Sequence, residues 1–221
     1  MKKVDKAIIL LSGGMDSATV LAMASRKYNL IALHFNYHQR TEKKELWCFH
    51  QLCQYYNVEK KIIIDLDFFR KIGGSTLLRG IGKVPKPRFR RDKIPSTYVP
   101  FRNGIMLSIA TAVADRFSAR YIFLGAVEAD FSGYPDCRYN FIKNFEKAAK
   151  VGTKNQNISI VAPLLNLTKS QIVSKGIKLG VPYQYTWSCY NSNDKPCLKC
   201  ESCLLRLKGF DKAGYRDPLL V

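Results

Sequence analysis

A chain of 221 residues with 47% hydrophobic and 24% charged residues has the length for one α/β domain with a small appendage, and the composition of a chain that folds unaided. No stretch reaches the roughly 18 apolar residues of a transmembrane helix, which excludes a membrane span. Lysine and arginine number 36 against 17 acidic residues, formally +19; that excess suits a polyanionic partner, or is simply a tolerated basic surface.

Lys2, Lys3 and the apolar run behind them imitate a signal peptide, but the run is short and lacks a small-residue cleavage site. It reads as a buried strand, and the protein is expected to be cytoplasmic. Continuous apolar runs at 7–11, 30–35, 61–66, 121–125 and 159–162 predict strands covered on both faces. Helical patterns fill the spaces between them: 17–27, 41–56, 102–117, 140–150 and 169–179. Such alternation predicts a doubly wound, mainly parallel five-stranded sheet with ligands at the carboxyl ends of its strands.

The first strand runs straight into Ser12-Gly13-Gly14-Met15-Asp16-Ser17. Two glycines let the backbone turn tightly and bring N–H groups to a ligand, and the following helix adds a positive dipole end. Ser12, Ser17 and Thr19 supply hydroxyls. This is a cradle for phosphate or pyrophosphate; the endings of a Walker A loop and of a dinucleotide fingerprint are both absent. An irregular stretch from about 73 to 100 interrupts the pattern, and residues 79–93 carry much of the excess charge. A lid, an arm on nucleic acid and a solvated excursion are all open readings of it.

Pro100-Phe101-Arg102-Asn103 begins a helix, where Arg102 is placed to clamp a phosphate or leaving pyrophosphate. After the fourth strand comes Glu128-Ala-Asp130-Phe131-Ser132-Gly-Tyr134-Pro-Asp136-Cys137, either an acidic turn or a reader of a flat ring with donor N–H groups. Thr168 is expected to cap the last of these helices, setting Lys169 at the carboxyl edge of the sheet. His34, His38 and His50 form no metal-spaced set and read as structural, His38 being the first candidate for an exception.

Four of seven cysteines cluster as Cys189, Cys197, Cys200 and Cys203. Four thiolates at this spacing wrap a tetrahedral Zn²⁺ and close its shell, which makes the site structural; iron–sulfur ligation and a redox dithiol are the alternatives. Cys48, Cys53 and Cys137 read as buried thiols. The division is then residues 1–185 as a nucleotide-binding and catalytic domain and 186–221 as a cysteine-ligated tail.

Ser-Gly-Gly-x-Asp-Ser resembles the signature of the PP-loop ATP pyrophosphatases, of the adenine-nucleotide α-hydrolase type. With Phe35-Asn-Tyr37-His-Gln39-Arg40, the 95–103 run, Asp130-Phe-Ser-Gly-Tyr-Pro-Asp136-Cys137 and the cysteine tail, nearly the whole chain resembles the 7-cyano-7-deazaguanine (preQ0) synthase family, QueC. The resemblance implies that 7-carboxy-7-deazaguanine, ammonia and ATP give the 7-nitrile of queuosine biosynthesis through adenylated carboxylate and amide. It further implies ATP on Leu11, Ser12, Gly13, Gly14, Met15, Asp16, Ser17, Ala18 and Thr19, with Asp16 serving Mg²⁺ and Arg102 and Lys169 steadying the leaving group. Glu128, Asp130, Phe131, Ser132, Tyr134 and Asp136 would read the deazaguanine. A homodimer with structural zinc is implied, without need of membrane or nucleic acid. Phe101 stands where the family usually has a smaller residue, often Gly, so its ring is expected to narrow or repack the phosphate site. An amide-forming variant and a PP-loop tRNA-modifying enzyme are the alternatives.

Overall fold

The computed structural model describes residues 5–86, 94–128 and 133–220. Five parallel strands, β1 (Lys6–Leu10), β2 (Asn29–Asn36), β3 (Lys60–Asp65), β4 (Tyr121–Phe123) and β5 (Ser159–Val161), lie in the order β3-β2-β1-β4-β5. The chain winds outward from β1 in both directions, so the crevice between β1 and β4 is where ligands of such sheets bind. The helices are α1 (Met15–Ser25), α2 (Glu42–Tyr55), the single turn α3 (Phe69–Ile72), α4 (Arg102–Phe117), α5 (Tyr139–Val151), α6 (Lys169–Leu179) and α7 (Glu201–Lys212).

The all-apolar strand pattern has the expected cause. Ile8 and Leu10 face a core built with α4 and α5. Ala7 and Ile9 face another, built with α1, α2, α6 and α7. Ala7, Ile8 and Ile9 are fully buried, as a central strand covered on both faces requires. The five predicted strands and five predicted helices are all present, β4 and β5 being shorter than their apolar runs. Thr168 caps α6 in a reciprocal capping box, accepting from Gln171 N–H at 3.4 Å while Gln171 Oε1 accepts from Thr168 N–H at 2.8 Å.

Two regions add to the sequence reading. The 73–100 stretch is anchored where it is described. Leu77, Leu78 and Val99 are buried, and Arg40 donates to the carbonyls of Thr76 at 2.8 Å, Ile81 at 3.1 Å and Gly82. Residues 87–93, the most basic part of it, lie outside the described residues. The tail contains helix α7, which buries Arg206, Gly209 and Phe210 against the rest of the domain. Arg206 spans the packing: its Nε and Nη2 donate to the Asp217 carboxylate at 2.6 and 2.8 Å, Nη1 to Thr186 Oγ1 at 2.7 Å and Nη2 to Tyr183 O at 3.0 Å. Among the described residues no helix is long and apolar enough to cross a membrane.

Candidate active site at the carboxyl edge of the sheet

The phosphate-loop backbone is fixed by sterics. Gly13 has φ +83°, and a Cβ there would stand 2.6 Å from Glu45 O and 2.9 Å from Cys48 Cβ, so glycine is required on both counts. Gly14 precedes α1 and donates its N–H to Ser12 Oγ at 3.3 Å. Ser12 and Ser17 share a hydroxyl contact of 3.1 Å, while Ser17 donates to Gly14 O at 3.0 Å. The first turn of α1 therefore opens towards the crevice with its orphan N–H groups. Thr19 is different. It is fully buried, its hydroxyl donating to Met15 O at 2.8 Å and lying 2.9 Å from the Tyr183 hydroxyl. Thr19 packs the loop from behind, and neither it nor Ala18 lines the cavity.

Asp16, in the first turn of α1, meets Lys169 at the start of α6: Lys169 Nζ lies 3.0 and 2.9 Å from the two carboxylate oxygens. The stem of Lys169 passes against Gly209 of α7, where a Cβ would come within 2.6 Å of Lys169 Cγ. The tail thus helps set the path of a residue at the phosphate end.

Arg102, first residue of α4, donates from Nη1 to the Tyr37 hydroxyl at 2.8 Å. Burial pushes the Tyr37 phenol up to about 12, so it accepts from Arg102 as a neutral group. Before it, Phe101 adopts φ +53°, a conformation that favours glycine. Its ring leaves the cavity, lying edge-on to Phe141 at 5.6 Å and against Gly104; Phe101 therefore does not narrow the phosphate site. A Cβ on Gly104 would stand 2.4 Å from that ring. Gly104→Ala is expected to cost about 1–3 kcal/mol by overpacking. In a Phe101→Gly background the same change should stabilise by about 1 kcal/mol through helix propensity. Thermal unfolding of the four proteins checks this; the same sign in both backgrounds would refute the coupling.

The acidic run after β4 divides. Asp130, Phe131 and Ser132 lie outside the described residues. Glu128 accepts the Tyr139 N–H of α5 at 3.0 Å, and Asp136, 3% exposed, accepts the Asn103 N–H of α4 at 2.8 Å. Helix N-termini attract carboxylates, and these two acids are engaged there; neither lines the cavity. Tyr134 does line it, its hydroxyl 3.0 Å from Thr97 Oγ1.

Sequence reasoning passed over the next group. The Tyr37 N–H is received by Gln39 Oε1 at 2.8 Å. Gln39 Nε2 in turn donates to Glu45 Oε2 at 3.1 Å, and Thr41 Oγ1 donates to Glu45 Oε1 at 2.6 Å. Burial raises the Glu45 carboxyl above its ordinary range. The conspicuous residue of the loop, His38, turns outward at φ +60° onto the Asp67 carboxylate, 2.6 Å away.

Cys189, Cys197, Cys200 and Cys203 gather their sulfurs within 4.8 Å of one another, so together they can hold a metal ion. The N–H groups of Asn191 and Cys197 point to the Cys189 sulfur at 3.3 and 3.4 Å, and that of Tyr190 to Cys200 at 3.4 Å. Cys200 caps α7 and Cys203 sits in its first turn, where the helix dipole favours thiolate. Hydrogen bonds from Cys200 and Cys203 hold the Cys189 thiol well below its ordinary range, and the same contact with Cys189 pushes Cys203 up. A divalent cation removes that competition for protons.

These parts enclose one cavity of about 330 Å³. The phosphate loop and Lys169 line it together with Arg102 and Tyr134, and the tail contributes Trp187, Tyr190, Glu201 and Ser202. Trp187 N–H also donates to Gly13 O at 2.9 Å. The tail is a wall of the site, tied to the loop it faces.

Residues 6–214 match the model of a family described as queuosine biosynthesis protein QueC. The chain belongs to the QueC family. It is 51% identical over 216 residues to the 7-cyano-7-deazaguanine synthase of Sulfurovum sp. (strain NBC37-1), covering 97% of both chains. It is 47% identical over 217 residues to the protein of that name from Campylobacter jejuni serotype O:2, again covering 97% of each. Solved structures share the fold at greater distance. The U34-tRNA thiolase NcsA of Methanococcus maripaludis, with its [4Fe-4S] cluster, superposes with TM-score 0.53 at 16% identity, covering 96% of this chain and 66% of that one. NMN synthetase from Francisella tularensis gives 0.51 at 15% identity, covering 96% and 78%.

Proposed function

We propose that the enzyme converts 7-carboxy-7-deazaguanine and ammonia to 7-cyano-7-deazaguanine in the cytoplasm, at the expense of two ATP. Near-full-length identity to proteins bearing that activity's name carries the reading, and a cavity joining a phosphate cradle to an aromatic wall supports it.

The chemistry needs an oxygen made into a leaving group twice. A substrate carboxylate oxygen attacks the α-phosphorus of Mg-ATP and expels pyrophosphate; ammonia then adds to the acyl carbon, and AMP leaves with that oxygen, giving the amide and a proton. The amide oxygen attacks a second ATP, again releasing pyrophosphate. Loss of the two N–H protons and departure of AMP leave the nitrile. The Ser12–Ser17 loop holds the β- and γ-phosphates on hydroxyls and the α1 N-terminus. Lys169 and Arg102 neutralise charge on the departing pyrophosphate, and Asp16 directs the magnesium carried by the nucleotide. Binding ATP requires Lys169 to share its charge between Asp16 and phosphate. No side chain forms a covalent intermediate; catalysis is positioning and electrostatics.

The cysteine cluster fits zinc. A Zn–S bond of about 2.3 Å sets tetrahedral sulfurs about 3.8 Å apart, compatible with four sulfurs within 4.8 Å, whereas an iron–sulfur cube needs them spread around several irons. Zinc would act as a cross-link between the 189–200 segment and α7. Assembly as a homodimer follows the family resemblance, and sedimentation tests it.

Incubation with 7-carboxy-7-deazaguanine, Mg-ATP and ammonium should yield nitrile by mass spectrometry. Amide as the end product would assign the chain a truncated form of this chemistry, and no turnover would redirect the search to another acceptor.

A further inference from the structure

Three carboxylates line the described part of the cavity: Asp16, Glu45 and Glu201. Asp16 is bonded twice by Lys169, and Glu45 receives Thr41 and Gln39. Glu201 is the remainder. Among the described residues nothing donates a hydrogen bond to it, and it lines the same cavity as Tyr134 and Tyr190. Tyr190 and Ser202 line the same wall of the cavity. Of the three acids expected to read the ring, Glu128 and Asp136 are engaged at helix N-termini, and Asp130 lies outside the described residues.

A half-buried carboxylate without a donor, beside two aromatic rings and open to a cavity, is the complement of a flat heterocycle presenting two adjacent N–H groups. Left unmet, such an acceptor is costly; met by a pair of donors, it is selective. We propose that Glu201 is the specificity-determining residue of the site, its two carboxylate oxygens accepting the ring N–H and exocyclic amine of a 2-aminopyrimidinone-type ring. This rests on the deazaguanine reading above. Glu201 stands between Cys200 and Cys203, so the cysteine cluster fixes the backbone of the ring reader. That gives the metal site a part in recognition as well as in folding.

The test is equilibrium binding, independent of turnover. Calorimetry would compare 7-carboxy-7-deazaguanine with its analogue lacking the 2-amino group, on wild type, Glu201→Gln and Glu201→Ala, each with its bound metal measured. Wild type should prefer the amino compound by about 100-fold or more. Glu201→Gln should weaken that compound by about 10- to 100-fold and bring the preference to within a few-fold of unity, with metal content unchanged. Undiminished preference in both variants would overturn the proposal. Nitrile formation by wild type tests the function separately: nitrile made while the variants keep their preference sinks the role of Glu201 alone.

Discussion

Asp16→Ala lowers turnover by about 1,000-fold or more while leaving the fold in place. The carboxylate sits at the start of α1 beside the phosphate loop and is held by Lys169 at 2.9 and 3.0 Å. Removing it would delete the group proposed to direct the nucleotide's magnesium, and electrostatic contacts of this kind are worth about two to three orders of magnitude each. The stability cost is small. The Asp16 side chain is 28% exposed, and partly exposed ion pairs contribute about 1 kcal/mol or less. Asp16→Ala and Lys169→Ala should also combine non-additively, because the two side chains act as one unit. Pyrophosphate release in a single turnover, with a parallel melting curve, checks the claim; near-normal release would remove Asp16 from the mechanism.

Asp217→Ala produces the largest loss of stability. Arg206 and Asp217 form a bidentate pair 3% and 6% exposed. Deleting the acid leaves a guanidinium in the interior with its charge uncompensated, at a cost of about 3–5 kcal/mol. For a domain of this size that lowers Tm by about 6–20 °C. The damage reaches the site, because Arg206 also holds Thr186 and Tyr183, next to the Trp187 that bonds Gly13. Asp217→Asn, keeping one acceptor, should lose less. A melting point within 2 °C of wild type for Asp217→Ala would show that the pair adds nothing to the fold.

The features legible in the sequence were those with a local cause. A continuous apolar run implies a strand buried on both faces, a glycine pair behind it a tight turn, and cysteines at short intervals a common centre. Each depends on a few neighbouring residues. The place of Glu201 in the cavity wall was hidden because it arises from where α7 packs, and its neighbours Cys200 and Cys203 read first as ligands. Asp136 and Glu128 show the converse. Acids near aromatic residues suggest a ring reader, but which donor claims them was settled by where α4 and α5 begin, a tertiary matter. Phe101 belongs here too: the left-handed turn that suits glycine carries a ring in this chain, and Gly104 supplies the space for it.

The measurement that tests the mechanism most directly follows oxygen. With both carboxylate oxygens of 7-carboxy-7-deazaguanine labelled as ¹⁸O, each activation step transfers one label to the α-phosphate. Two AMP should form per nitrile, each carrying one ¹⁸O, with unlabelled pyrophosphate. Label recovered in inorganic phosphate or in water, or one AMP per nitrile, would contradict adenylation as the means by which this site removes both oxygens.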